Sequence, residues 1–438
     1  MPTNTLIRSG QVIDGLGNRP ASADVLVSGN QILQVGENLP HDENTIVIDA
    51  SGCTVMPGLI DAHCHISFDE PSSNDELFFH RNREGLAAII AAANVVKLLR
   101  AGVTGFLDAD SLFEVGVDLR DAIEAGIVPG PRMATGGNAL LTSAGGTAGR
   151  LIPDEGLIGY GKVVGSRDEI VKEVRRQIKL GVDWIKVHVT GLTPRQKTAG
   201  EQQVWSLAEL QLVTETAHEL GVPVVGHCRG ATSVRDSSLA GFDMILHATH
   251  MDDEALAVVI DRKVPIVPTF TFQANLADYG STIQASPELQ ELFRKEIADS
   301  AFMLRRAYDA GVPLLCGTES GFSLTPYGEW HYRELEVFVN ELGLSPVEAI
   351  KAATSEAARG LCLYGETGAL IEGRLADVIV VRGDVSQNVT LLADPANIEH
   401  IILDGMVVEP SNLRPRRDPP GWRVAHYGKG ILHRKDVE

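Results

Sequence analysis

Between residues 58 and 319, short apolar runs alternate with longer stretches whose apolar residues recur at helical spacing. The short runs are GLIDAHCH, VTGFLDAD, PRMATGG, DWIKVHVT, PVVGHC, MILHAT, PIVPTF and VPLLCGTE, eight in all. Between them lie helical patterns such as REGLAAIIAAANVVKLLRAG, SRDEIVKEVRRQIKLG, SLAELQLVTETAHELG and DDEALAVVIDRK. Several of these close on glycine with the next strand following at once, as parallel β/α units do. Eight such units close most simply into a barrel. An open doubly wound sheet is the alternative, but it usually has fewer strands and a glycine-rich phosphate loop after the first, which this sequence lacks. The two ends read differently. Residues 5–57 are short strands rich in Val and Ile, broken by Gly and Asn, and the same texture returns in GALIEGRLADVIVVRG and IEHIILDGMVVEP. The expected fold is therefore α/β: a (β/α)8 TIM barrel over 58–359, a small β-sandwich domain built from 1–57 and 360–412, and a C-terminal arm over 413–438.

The length of 438 residues accommodates this plan, since a barrel alone takes about 250. A formal net charge of −20 argues against nucleic acid and anionic membranes as partners. The five cysteines include no CxxC pair, which suggests free thiols and a reducing compartment. The opening MPTNTLIRSGQVIDG has no apolar leader core, and no run of about 18 apolar residues occurs. The expectation is a cytoplasmic homo-oligomer acting on a small-molecule substrate.

In a barrel of this kind the active site lies at the C-terminal ends of the strands. The polar residues found there are informative. The first strand ends in His63-Cys64-His65, and alternation puts both imidazoles on one face. They are either metal ligands or ordinary histidines near a loop. The fourth strand carries Lys186 between Ile185 and Val187. A charged lysine there must pair with a carboxylate or react with CO₂ to give an anionic carbamate able to bridge two metals. The fifth and sixth strands end in His227 and His247, and neutral imidazole is a common ligand for Zn, Mn, Co and Fe. The eighth ends in Glu319, a carboxylate suited to metal binding and proton transfer. Each residue alone has an ordinary explanation; five strands each ending in a ligand type do not read as coincidence.

These segments resemble the amidohydrolase superfamily over nearly the whole chain. PGLIDAHCH is similar to its first-strand signature, GVDWIKVHVTG to its carboxylated-lysine strand, VPVVGHCRG and DMILHATHMDDEA to its two single-histidine segments, and VPLLCGTES to its eighth strand. SPVEAIKAATSEAARGL and GALIEGRLADVIVVRGD resemble the return that completes the fold. The GPRMATGGNALLTSAGG stretch is similar to a branch holding Xaa-Pro dipeptidases, imidazolonepropionase-like proteins, hydrolases of phenylurea and thiocarbamate herbicides, and an ochratoxin amidase. The resemblance implies two divalent ions, zinc or alternatively Mn, Co or Fe. His63 and His65 would hold the buried ion, His227 and His247 the more exposed one, and carbamylated Lys186 would bridge them. Glu319 stands at the acid position, where the family normally has Asp. Glu319, Lys186 and His247 are the implied catalytic residues.

Two further departures bear on substrate. Arg229 stands where peptidase relatives often show a second histidine, and Thr147 where a histidine often follows the Gly-Gly pair. They weaken a direct transfer of dipeptidase activity and favour a specialised amide, urea or carbamate, with an Xaa-Pro dipeptide or an N-acyl amino acid as the alternative. His188 and Arg229, each two residues beyond a ligand position, are candidate substrate contacts, with structural roles as the alternative. His250 reads as supporting or structural, and Cys64, Cys228 and Cys316 as small buried residues facing the helix layer. A one-metal deaminase of the same fold is disfavoured by Lys186 and by the His227-Cys228-Arg229-Gly230 segment. A non-catalytic scaffold is disfavoured by a candidate ligand at every position. Specificity is expected in the loops 67–81 and 274–292.

Overall fold

The structure, a computed structural model, describes residues 4–73, 76–77, 83–156, 159–192, 201–408 and 432–437. Strands from both ends of the chain share one eight-stranded sheet. Asn4–Val12 pairs antiparallel with Ala21–Ser28 and parallel with Cys53–Pro57, and Cys53–Pro57 pairs antiparallel with Val378–Arg382 near the other end. The alternation of Val378–Arg382 explains its near-complete burial. Val378 and Val380 join a small cluster with Ile7, Val25 and Val55. Ile379 and Val381 point the other way, into the large core shared with the central helices. A strand buried on both faces reads as an unbroken apolar run, as VIVV does here.

The central part is α/β. Leu59–Cys64, Val103–Asp108 and Arg132–Thr135 form one parallel sheet. Ile185–His188, Val224–Gly230, Met244–His250 and Ile266–Val267 lie parallel in another, with Ala139–Leu141 and Gly161–Val163 added at its edge. Backbone hydrogen bonds run between the two groups: Trp184 N to Thr135 O at 3.1 Å on one side, Leu315 N to Ile266 O and Ala62 N to Cys316 O at 2.9 Å on the other. The eighth expected strand, VPLLCGTE, appears only through such bonds and isolated bridges at Leu314 and Ser320.

The helices carry the local signals that predict them. Arg167–Leu180 begins at Ser166, whose hydroxyl accepts from Glu169 N, and ends at Gly181 with φ of 100°. Leu207–His218 starts with a capping box formed by Ser206 and Glu209. The expected loop 274–292 is instead mostly helical, split between Phe270–Tyr279, a short 3₁₀ turn and the start of Pro287–Asp309. The helix Phe270–Tyr279 lacks a side-chain cap of its own and is held from outside. Glu334, buried on the helix His331–Asn340, accepts from Phe270 N at 3.0 Å and Thr271 N at 2.8 Å. That long-range cap is invisible in the local sequence.

Of the expected loop 67–81, residues 74, 75 and 78–81 lie outside the described residues, as do 413–431 and 438 of the expected arm. Residues 432–437 pack on the chain itself: Leu432 is buried, and its carbonyl accepts from Trp330 Nε1 at 3.0 Å. No helix among the described residues is long and apolar enough to cross a membrane.

Candidate metal centre

The C-terminal ends of the central strands deliver their polar residues to one buried cluster. The rings of His63 and His65 lie 4.9 Å apart, His63 is 5.2 Å from His247, and His247 is 4.4 Å from His227. His188 follows at 5.2 Å from His227. His63, His247 and Glu319 offer ligand atoms within 4.8 Å of one another, and so do His63, His65 and Asp110. Lys186 is 1% exposed, with its Nζ 3.6 Å from Asp110 Oδ1. Thus His63, His65, Lys186, His227, His247 and Glu319 come together.

Several of these positions depend on departures from a regular strand. Ile60 and Ala62 belong to the interior apolar cluster, yet His63 and His65 face the site one place out of step. The pairing of this strand with Val103–Asp108 shifts register between Asp61 and Cys64, which rephases the alternation. His247 and Ala248 have φ of 73° and 51°, Thr269 57° and Glu319 58°. Left-handed backbone at non-glycine residues costs on the order of 1–3 kcal/mol each and tends to gather at functional sites. Gly317 lets the eighth segment press on the first strand, because a Cβ there would lie 2.9 Å from His63 N. Asp61 fastens the same two segments. It accepts from His63 N at 3.1 Å, Thr318 N at 2.9 Å and His331 Nδ1 at 2.9 Å.

The hydrogen bonds assign most of the tautomers. Thr269 Oγ1 donates to Pro268 O at 2.7 Å, so its contact with His247 must be the acceptance of an Nδ1 proton. That leaves His247 Nε2 with a lone pair, and it is buried without a partner among the described residues. His65 Nδ1 faces two acceptors, Asp110 O at 3.2 Å and Asp110 Oδ1 at 2.9 Å, so it carries the proton and Nε2 is left free. His227 Nε2 donates to Glu201 Oε2 at 2.8 Å, which leaves Nδ1 as its open atom. Neither nitrogen of His63 has a hydrogen-bond partner among the described residues. A buried polar atom left unsatisfied costs about 1–3 kcal/mol. Three such nitrogens on two adjacent imidazoles fit a metal site, and imidazole with carboxylate suits zinc, manganese, cobalt or iron.

Electrostatics agrees with that chemistry. Burial, reinforced by Lys186, holds His63 well below the usual imidazole range, and burial with His227 does the same to His247. Both are therefore neutral, the ligating form. Burial pushes the Asp110 carboxyl up, but Lys186, His65 and His188 outweigh it and hold the group well below its ordinary value. Burial raises Glu319 above the usual carboxylate range, against the pull of His65 and His227. Its carboxylate receives no hydrogen bond from the described residues, and its proton affinity is enhanced.

The remaining candidates lie around this cluster. His188 is buried and ties to Asp110 Oδ2 at 2.8 Å. Arg229 sits at the rim in an ion pair with Glu296 at 2.9 Å, and His250, exposed, approaches the same acid at 3.6 Å. Cys64, Cys228 and Cys316 are buried free thiols within the large helix-side core. Sequence reasoning passed over Asp110, Glu201 and Thr269. Asp110 had a signal, since it ends the run VTGFLDAD at the same end of the molecule as the histidines. Glu201 and Thr269 had none.

The amidohydrolase family model matches residues 54–408. Ochratoxinase from Aspergillus niger is 26% identical over 434 residues, covering 94% of this chain and 88% of that protein. Among solved structures, a Xaa-Pro dipeptidase with methionine bound in its active site is 28% identical with a TM-score of 0.78, covering 93% of this chain and 100% of its own. Phenylurea hydrolase B superposes with a TM-score of 0.75 at 23% identity over 93% of this chain and 97% of its own, a likeness of fold.

Proposed function

The chain belongs to the amidohydrolase family, a hydrolytic enzyme acting on carbon–nitrogen bonds, and on that premise we propose that it uses two divalent metal ions to cleave an amide, urea or carbamate. The observation that carries this reading is the set of unpartnered nitrogens on His63 and His247, converging with Glu319. His63 and His65 would hold one ion and His227 and His247 the other. Lys186, as the carbamate formed with CO₂, would bridge them. Zinc suits this donor set, with Mn, Co or Fe as substitutes. The hydrogen bonds joining the two parallel sheets support a closed (β/α)8 barrel with this centre at its mouth.

Metal held by these residues would supply a Lewis acid for a carbonyl oxygen and for the acidity of a water. The chain's own residues then manage the proton. Glu319 takes it from the attacking water as the C–O bond forms, and returns it to the amine nitrogen as the C–N bond breaks. Its raised proton affinity suits both steps. Asp61 and Gly317 hold the Glu319 segment against His63, so acid and ligands keep one geometry.

The relatives' names, an ochratoxinase, a Xaa-Pro dipeptidase and a phenylurea hydrolase, support a small carbonyl compound as the substrate. Arg229 favours a second reading within that class. Its guanidinium is about a fifth exposed at the rim, and its partner Glu296 also accepts from Gln273 at 3.1 Å. A substrate carboxylate could take the place of Glu296, which points to an N-acyl amino acid or a Xaa-Pro dipeptide. Metal analysis together with turnover of phenylureas, carbamates, anilides, N-acyl amino acids and Xaa-Pro dipeptides tests both. About two ions per chain and activity lost on chelation and regained with metal are expected. Full turnover by metal-free protein refutes the proposal, and a clear preference for the carboxylate-bearing substrates moves it to the second reading.

A further inference from the structure

Two of the four ligand histidines are backed by a carboxylate from outside the ligand set, and the two carboxylates stand behind different metal positions. Asp110 lies just beyond the strand Val103–Asp108, and Glu201 just before the short strand Gln202–Gln203. We infer that Asp110 and Glu201 are positioning residues, each fixing the tautomer of one histidine and thereby governing one metal position. The inference rests on the two-metal reading above.

Asp110 is 1% exposed. His65 Nδ1 donates to the main-chain carbonyl of Asp110 at 3.2 Å, with the carboxylate Oδ1 close by at 2.9 Å, and Oδ2 accepts from His188 Nε2 at 2.8 Å. The carbonyl and the carboxylate of Asp110 are both acceptor-only, so the two nitrogens that face them must carry protons. His65 is left with Nε2 unprotonated, on a ring 4.9 Å from that of His63. Glu201 plays the same part for His227 with the opposite nitrogen. Its Oε2 lies 2.8 Å from His227 Nε2 and accepts from Thr190 Oγ1 at 2.9 Å. His227 is left with Nδ1 unprotonated, on a ring 4.4 Å from that of His247. A carboxylate behind a metal-binding imidazole both fixes the ring and strengthens it as a donor. His188, buried and tied to Asp110, then serves as the second tether of that carboxylate and not as a surface for substrate.

An amide in place of either acid keeps the shape but offers a donor as well as an acceptor. It therefore allows the tautomer whose metal-facing nitrogen is protonated and cannot bind. The test is metal affinity, read site by site by competition with a chromophoric chelator on the full chain. Asp110→Asn should weaken one ion and Glu201→Gln the other, each by about 10–100-fold. Asp110→Asn should fall toward the lower figure, because the main-chain carbonyl of Asp110 still accepts from His65 at 3.2 Å. Asp110→Glu, which keeps an acceptor-only group, should recover part of the affinity, and it replaces the Asn variant if melting curves show that variant unfolded. Pairing identifies the site: Asp110→Asn should add nothing to His65→Ala, and Glu201→Gln nothing to His227→Ala. Additive losses, or both ions kept within about twofold of wild type, overturn the inference. So does a loss beyond about a thousandfold in Asp110→Asn, which would make Asp110 a direct ligand. Wild-type protein that takes up no metal would instead refute the two-metal reading itself.

Discussion

The same central strands end in opposite ways. At one end Ile60, Leu107, Trp184, Val225, Leu246 and Leu315 pack with Ala357, Ala358 and Leu361 into a dry cluster. Its one indole nitrogen is satisfied, Trp184 Nε1 donating to Gly360 O at 2.9 Å. At the other end, a few residues along, His63 and His247 are as deeply buried but keep nitrogens with no partner. The left-handed residues His247, Ala248, Thr269 and Glu319 are there too. The contrast teaches where this chain keeps its stability and where it gives stability up. The apolar end gains from burial and close packing. The histidine end carries left-handed backbone and unmet hydrogen bonding, the latter of a kind that a metal would relieve.

If that division is right, the two ends should respond to mutation in different observables. The largest effect expected is on catalysis. Glu319→Gln should lower kcat by about 10²–10⁴ with metal content and melting temperature little changed. A near-wild-type rate with metal intact would remove Glu319 from the proton path. Glu319→Asp should retain more activity than the Gln variant, because the acid survives and only its reach changes. At the dry end the order reverses. Trp184→Ala should cost about 3–5 kcal/mol in denaturant unfolding, while the folded protein still takes up its full metal complement. Metal loss at concentrations of denaturant where the variant remains folded would show that the two ends are not separable.

A smaller effect, of opposite sign, is expected at the histidine end. His63→Leu should raise the stability of the metal-free protein by roughly 1 kcal/mol, since it removes two buried unsatisfied nitrogens, and should abolish uptake of the buried ion. Destabilisation of the metal-free form would mean that His63 is satisfied in some other way.

A pH slope is expected at Glu334, which caps the helix following Thr269. Burial lifts its carboxyl from an ordinary value near 4.5 to about 8, against the donors from Phe270 and Thr271. Between those values the unfolded state has lost the proton that the folded state keeps. Stability should therefore fall as pH rises from about 4.5 to about 8 and level off above. Glu334→Gln should flatten that slope in pH-dependent melting. An unchanged slope would place the titrating group elsewhere.

Much of this was legible in the sequence because it rests on spacing along one strand. The eight apolar runs, the shared β texture of the two ends and the candidate ligand residues at the ends of the runs can be read along the chain, and the period of two puts His63 and His65 on one face. The family resemblance then implied roles for His63, His65, Lys186, His227, His247 and Glu319, and the structure brings all six together. What the spacing did not contain is the partner of each ring. His65 meets Asp110 across 45 residues of chain, and His227 meets Glu201 across 26. Those pairs exist only once separate strands are side by side, and they decide which nitrogen each imidazole presents. His247 breaks the alternation through its left-handed backbone, and the helix over the expected loop 274–292 is held by Glu334 from 63 and 64 residues away. Local pattern sets the direction in which a side chain leaves its strand. Tertiary packing decides what it meets, and for a histidine the group it meets fixes its chemistry.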